Sequence, residues 1–359
     1  MNSVSLVMIV RDEEKVLSRC LDSAASIVDD IVVLDTGSTD GTKDIARKYG
    51  ARVYDYTWNH HFAEARNASL DHSRTNWNLV LDADEYITND CGRKIRDFME
   101  EGPSIGRIRR LSSVQAEDGI QLVSDFISRL FPSNIRYKGR IHEQVSSGLP
   151  RKVVDVEAHH DGYLNISKAG RNIPLLEQQL SDHPNSAYYT FQLAKEYKGV
   201  GRHAEYLQWC RKAYNLLTKQ EMYAPYVIVE YLYAMLKCGE LEGGAHIIER
   251  ESEYLHDFPD FHFVSALFYL DYVLQDVANR LPMLPRIEQA YFKCLELGDT
   301  TRYDSVIGTG SFSAMYNLGV FYEVQGRHEE AVKWYRQSAA YAYEPAQKRL
   351  RQYNLGTGN

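Results

Sequence analysis

The chain has 359 residues, 44% hydrophobic and 25% charged, with a formal net charge of −8. That length fits two domains, each large enough to bury a core. The acidic balance, with no long basic run at either end, argues against nucleic acid as a partner.

The opening run Val4 to Val10 has the length of a strand and lacks the basic flank and small-residue cleavage site of a signal peptide. No later segment approaches the roughly 20 apolar residues that span a bilayer. Five cysteines at irregular spacing, with no Cys-x-x-Cys pair, read as reduced and packed. Together these features predict a cytoplasmic protein with no transmembrane segment.

After the first strand, Val16, Cys20, Leu21 and Ala24 recur at helical spacing. Asp30 to Asp35 is a second strand, followed by the turn-rich Thr36-Gly37-Ser38-Thr39-Asp40-Gly41. A helix over Thr42 to Tyr49, a strand over Ala51 to Tyr54, a helix over Phe62 to Ser73 and a strand over Trp77 to Asp82 follow. This alternation predicts an α/β, Rossmann-like and mostly parallel sheet whose ligands bind at the carboxyl ends of the strands. Asp35, Asp82 and Asp84 sit at those ends. Residues two apart on an extended segment point the same way, so Asp82 and Asp84 are expected to face one pocket. Such a pair suits a hard divalent cation, Mn2+ or Mg2+, shared with phosphate oxygens. Glu85, directly after them, reads equally well as a solvated carboxylate.

Further on, Arg129-Leu130-Phe131-Pro132 and Ile135 to Val145 read as short extended segments around a turn that contains His142-Glu143. Arg66 lies on an amphipathic helix where its planar donors suit a phosphate, or where it could pair with Glu64 or Asp71. His159-His160-Asp161-Gly162-Tyr163 closes this part of the chain.

From about residue 165 the texture becomes helical. Leu193, Tyr197, Gly201-Arg202-His203 and Trp209 recur at one offset as Leu318, Tyr322, Gly326-Arg327-His328 and Trp334. With Tyr231 to Ala234, Gly239, Tyr269 and Ala290-Tyr291 between them, these motifs predict three to four tetratricopeptide-like repeats. The expected domains are therefore residues 1–165 and an all-α repeat domain over residues 166–359.

As an ordered set, Val7 to Glu14, Val33 to Thr42, Trp58 to Asn67 and Leu81 to Glu85 resemble family 2 glycosyltransferases. The resemblance implies the GT-A fold and a UDP-sugar donor. It implies donor contacts from Val10, Arg11, Glu13, Asp35, Arg66, Asp82 and Ala83, and metal ligation by Asp84. Its Gly-x-x-His-Glu element implies Glu143 as the general base with His142 beside it, and its His-x-Gly-Tyr element selects His160 over His159 as a metal ligand. The chain departs from the family at Thr36, where many members have a second Asp, and at Asp12, where they have Asn.

The joining of such a domain to tetratricopeptide-like helices resembles the sublancin-type peptide S-glycosyltransferases of glycosylated bacteriocins. That resemblance implies inverting transfer of a hexose, with glucose favoured, to a Cys thiol or Ser hydroxyl of a peptide acceptor. Stacked helix pairs suit a peptide, and they also suit a homodimer formed through the repeats. A cell-surface glycan or lipid acceptor is the alternative, and a scaffold with an inactive transferase domain is a third reading.

Overall fold

A computed structural model describes residues 2–116, 119–160, 168–300 and 302–356. The chain divides into two compact units, Met1–Pro184 and Asn185–Asn359.

The first unit is built on β1 (Val4–Val10), β2 (Asp30–Asp35), β3 (Arg52–Asp55), β4 (Trp77–Val80), β5 (Glu85–Ile87), β6 (Ile105–Ala116), β7 (Gly119–Pro132) and β10 (Arg151–His160). Their order is β3-β2-β1-β4-β7-β6-β10-β5. The pairs β3–β2, β2–β1 and β1–β4 are parallel, as the strand–helix alternation requires. Beyond β4 the sheet becomes mixed: β7 runs antiparallel to β4 and β6, β10 is parallel to β6, and β5 is antiparallel to β10. The long β6–β7 pairing was not legible in the sequence, where only its last residues read as extended.

Alternation along β1 sends Val4, Leu6, Met8 and Val10 to one face and Val7 to the other. The first face is covered by α1 (Leu17–Ala24), α2 (Thr42–Lys48) and α4 (Gly92–Glu100), with Leu17, Leu21, Ala46 and Phe98 in the same core. The second face takes α3 (Phe62–Asp71), through Ala63 and Leu70, and the small antiparallel pair β8 (Arg136–Lys138) and β9 (Gln144–Ser146), through Tyr137 and Val145. Helix α5 (Ala169–Asp182) also belongs to this unit. Its Gln179 is buried and its Oε1 accepts the Arg140 N–H at 2.7 Å. The expected boundary at residues 165/166 lies outside the described residues, and the division by contacts follows α5. Helical periodicity marks a buried stripe without saying which core it joins.

The second unit contains α6 (Ala187–Gly199), α7 (His203–Leu216), α8 (Ala224–Cys238), α9 (Leu241–Glu251), α10 (Pro259–Gln275), the short α11 (Val277–Arg280), α12 (Leu284–Leu297), α13 (Phe312–Val324), α14 (His328–Ala339) and α15 (Glu344–Gly356). Helices pack with their neighbours along the chain, giving hairpins α6/α7, α8/α9, α10/α12 and α13/α14, with α15 against α14. The repeated motif has a structural cause. Gly201 and Gly326 adopt φ of 73° and 76° at the hairpin turns, a region open to glycine at little cost. The next residue donates its N–H back to the matching tyrosine carbonyl, Arg202 to Tyr197 at 3.0 Å and Arg327 to Tyr322 at 2.9 Å. Each arginine then lies over that tyrosine ring and pairs with a glutamate three residues on, Glu205 or Glu330.

Gly244 on α9 permits a close approach of α10: a Cβ there would sit 1.9 Å from Phe268 Cζ. Three Phe268 ring atoms would lie within 2.8 Å of that Cβ, so Gly244→Ala is expected to cost about 2–3 kcal/mol in overpacking, against up to about 1 kcal/mol gained in helix propensity. Thermal unfolding would register a fall of a few degrees, and an unchanged midpoint would show that the Phe268 ring yields. Among the described residues, no helix is long and apolar enough to cross a membrane.

Candidate active site

The acidic positions collect at the carboxyl ends of β1, β2 and β4. Asp35 is buried, and its Oδ1 accepts the N–H groups of Gly37 (3.0 Å) and Ser38 (2.8 Å) in the turn after β2. Its Oδ2 is buried with no hydrogen-bond partner. A buried carboxylate oxygen in that condition is costly unless a ligand donates to it.

The two family departures sit beside it. Thr36 Oγ1 donates to the Val10 carbonyl at 3.0 Å, so its side chain faces the sheet. Asp12 adopts φ of 55°, which Asp and Asn tolerate better than most residues, and accepts the Thr39 N–H at 2.7 Å. Arg11 is exposed beside Asp12, Val10 is buried and Ala83 is buried. The half-buried Glu13 is tied to the same turn, its N–H donating to Thr42 Oγ1 at 2.7 Å. Burial and then the charge of Asp84 push the Glu13 carboxyl up to about 7.

Asp82-Ala83-Asp84 is not extended. β4 ends at Val80 and the segment turns, with the Glu85 N–H donating to the Asp82 carbonyl at 3.0 Å. The two carboxylates therefore take different partners. Asp82 accepts Arg66 Nη2 through Oδ1 at 2.7 Å and Arg129 Nη2 through Oδ2 at 2.6 Å. Burial alone would raise its carboxyl, but Arg129 and Arg66 outweigh that and hold it well below the usual carboxylate range. Asp84 instead meets His160, whose Nε2 is 3.4 Å from Oδ2.

His160 is there because of register. β10 lies between β6 and β5, opposing His160 to Ser112 on one side and to Glu85 on the other. Ser112 Oγ lies 3.2 Å from Nδ1, orienting the ring so that Nε2 faces Asp84. His159 stands beside the Tyr86 ring instead, with ring centroids 5.7 Å apart.

Arg66 forms neither of the helix-surface pairs that its sequence position allowed. It is buried, clamped by Asp82 and Glu143, with its guanidinium 5.5 Å from the Tyr137 ring centre. Asn67, next to it on α3, exchanges two hydrogen bonds with the Tyr137 backbone at 3.0 and 2.8 Å. The Phe62 N–H donates to the Arg140 carbonyl at 2.8 Å. These bonds fasten the β8–β9 turn to α3 and bring Glu143 to Arg66. His142, immediately before Glu143, has φ of 48°, an uncommon conformation for a residue with a side chain.

Sequence reasoning missed what lies under these residues. Glu85 is fully buried rather than solvated, accepting the Asp82 N–H (3.0 Å) and Arg129 Nη2 (2.7 Å). Arg110 on β6 continues the chain from Glu85 (3.3 Å) to Asp125 (2.6 Å). The result is an alternating series, Glu143–Arg66–Asp82–Arg129–Glu85–Arg110–Asp125. Only the Arg129-Leu130-Phe131-Pro132 run hinted at it, and an arginine in a strand carries no local mark of burial.

The metal reading is tested by the donor set. Among the described residues no three His, Cys, Asp or Glu side chains gather as a closed metal cage. Asp84 and His160 nevertheless converge, one carboxylate and one imidazole, a set that suits Mn2+ or Mg2+ when phosphate oxygens complete the shell. Asp161 to Tyr163, part of the motif around His160, lie outside the described residues.

Residues 5–150 match the family model described as glycosyl transferase family 2. A TPR repeat-containing protein of Synechococcus elongatus is 34% identical over 215 residues, covering 54% of this chain and 52% of that protein. The SPbeta prophage-derived glycosyltransferase SunS of Bacillus subtilis is 26% identical over 237 residues, covering 59% and 53%. The chain thus spans about half the length of these curated relatives. Among solved structures, that of MamA aligns with a TM-score of 0.38 at 17% identity, over 52% of this chain and 99% of that one. With the family match lying on the unit that holds Asp35, Asp84 and Glu143, the chain carries a family 2 glycosyltransferase domain followed by tetratricopeptide-like helical repeats.

Proposed function

We propose that the chain is an inverting, metal-dependent glycosyltransferase that moves a hexose, with glucose favoured, from a UDP-sugar to a Cys or Ser of a peptide. The observation that carries the reading is the meeting of Asp84 with His160 at 3.4 Å, beside strand ends that also present the unpartnered Asp35 oxygen. In this reading the unpartnered oxygen of Asp35 accepts from the uracil, and Val10, Arg11, Glu13 and Ala83 line the donor cleft. Asp84 and His160 hold Mn2+ or Mg2+. When bound, the metal neutralises charge on the departing diphosphate.

Glu143 takes the acceptor's proton. Its Oε1 is held by Arg66, which leaves Oε2 for the incoming nucleophile. His142 flanks it. Arg66 is thereby a positioning residue between the acceptor side and the Asp82 turn, a change from the phosphate contact expected of it. A peptide is favoured over a glycan or lipid acceptor because stacked helix pairs present surfaces suited to peptides. A thiol acceptor, with a pKa of about 8.5, asks less of the base than an alcohol does.

Glu143→Gln is expected to leave UDP-sugar binding intact and to slow transfer by at least about 10²-fold. Calorimetry and transfer assays on the same preparation would separate the two effects, and a variant that keeps most of its rate would place the base elsewhere. The reading as a whole is tested by incubating the protein with Mn2+, several UDP-sugars and a Cys- and Ser-containing peptide, with products read by mass spectrometry. A hexose mass shift supports it. Neither a shift nor release of UDP would favour the scaffold reading.

A further inference from the structure

Lys168 is absent from every motif above, yet its ammonium reaches the carboxylate that His160 approaches. Its Nζ lies 3.8 Å from Asp84 Oδ2, on the carboxylate that His160 also approaches, and the side chain remains 39% exposed. It also occupies the N-cap of α5, so the positive end of a helix dipole adds to the ammonium at the same place.

The neighbouring arginines are differently employed. Arg66 and Arg129 are buried and spent on Asp82, Glu143 and Glu85. Arg11 is exposed and faces Asp12 at 3.9 Å. A diphosphate entering beside Asp84 brings more negative charge to a site that already holds Glu13, Asp82 and Asp84. A partly exposed ammonium on a flexible four-carbon stem can reorient toward a phosphate oxygen, which a guanidinium clamped between buried carboxylates cannot.

We propose that Lys168 is a diphosphate-binding residue: its ammonium, set beside Asp84, engages the diphosphate of the donor and of the released nucleoside diphosphate. The proposal rests on the donor reading above, that the cleft takes a uridine diphosphate sugar. It has two consequences that a purely structural lysine lacks. Removing the ammonium weakens binding of ligands that carry the diphosphate and spares ligands that do not. It also frees Asp84 for a metal ion when no nucleotide is present.

The test is calorimetry of UDP and of uridine on the full chain with Mn2+, for the wild type, Lys168→Gln and Lys168→Arg. It is joined by titration of Mn2+ alone, followed by electron paramagnetic resonance. Lys168→Gln should bind UDP roughly tenfold to a hundredfold more weakly, the range expected for a lost hydrogen bond to a charged group. Uridine affinity should stay within about twofold and Mn2+ alone should bind at least as tightly as to the wild type, while Lys168→Arg retains most of the UDP affinity. Equal UDP affinity in Lys168→Gln and wild type overturns the proposal. So does a parallel loss of uridine binding, which marks damage to the fold. A wild type that binds no UDP overturns the donor reading itself, whereas a wild type that binds UDP indifferently to Lys168 overturns only the role assigned here.

Discussion

Asp84→Ala should abolish both metal binding and turnover. Asp84 is the aspartate of the pair that Arg66 and Arg129 do not hold, and it has the His160 imidazole at 3.4 Å and the Lys168 ammonium at 3.8 Å. In the proposed metal-dependent reading, the variant would keep His160 alone of the two proposed ligands, too little to hold a divalent cation against water. The charge that a metal stabilises at a leaving diphosphate is worth several kcal/mol, and about 4 kcal/mol corresponds to roughly 10³-fold in rate. Mn2+ titration by paramagnetic resonance and a UDP-release assay on one preparation would read the two losses together. Retained metal affinity in the variant would move the metal away from Asp84. Loss of turnover with metal affinity kept would assign Asp84 to donor positioning.

The largest stability effect is expected at Arg129, where replacement by Met should destabilise the first unit by about 3–5 kcal/mol, the usual consequence of removing one partner from a buried ion pair. One Arg129 nitrogen, Nη2, serves Asp82 and both oxygens of Glu85, and Glu85 has no exposed surface. Deleting it takes a counter-charge from two carboxylates, leaving Asp82 with Arg66 at 2.7 Å and the fully buried Glu85 with the Asp82 N–H at 3.0 Å and Arg110 at 3.3 Å. For a unit of this size about 1 kcal/mol moves the midpoint by roughly 2–4 °C, so a fall of about 6–20 °C is expected in thermal unfolding followed by circular dichroism. A double replacement, Arg129→Met with Glu85→Gln, should recover part of the loss, because the amide does not need a counter-charge. A double variant as unstable as the sum of the singles would show that the pair is not coupled.

The contrast between these two residues shows what a sequence makes visible. Asp35, Asp82 and Asp84 were legible because each follows an apolar β-branched run, and the end of a strand is where a parallel sheet offers its ligand face. His160 was legible only through its resemblance to a family motif; nothing local says that β10 is inserted between β6 and β5, which is what brings the ring to Asp84. Glu85 and Arg129 were opaque for a different reason. A charged residue next to an acidic motif or in an alternating strand reads as solvated, and its burial follows from long-range pairing of β4 with β7 and of β6 with β7. The turn at Asp82 was misread as extended because the strand pattern runs on through Leu81. That matters chemically, since it is the turn that sends one aspartate to the arginines and leaves the other to His160.

The repeats were the most legible part, because Gly-Arg turns copy one another residue by residue. Their interiors do not. Gly319 on α13 sits against Tyr335 of α14, where a Cβ would meet the ring at 2.5 Å. At the matching offset, α6 and α7 carry Ala194 and Cys210, both fully buried. Two hairpins with the same outline thus divide their inner volume differently, one with nothing opposite a large ring, the other with two modest side chains. Anyone recombining these modules would find that single helices are not interchangeable parts: α14 placed opposite α6 would drive a phenol into an alanine, and only an intact hairpin could be moved as a graft.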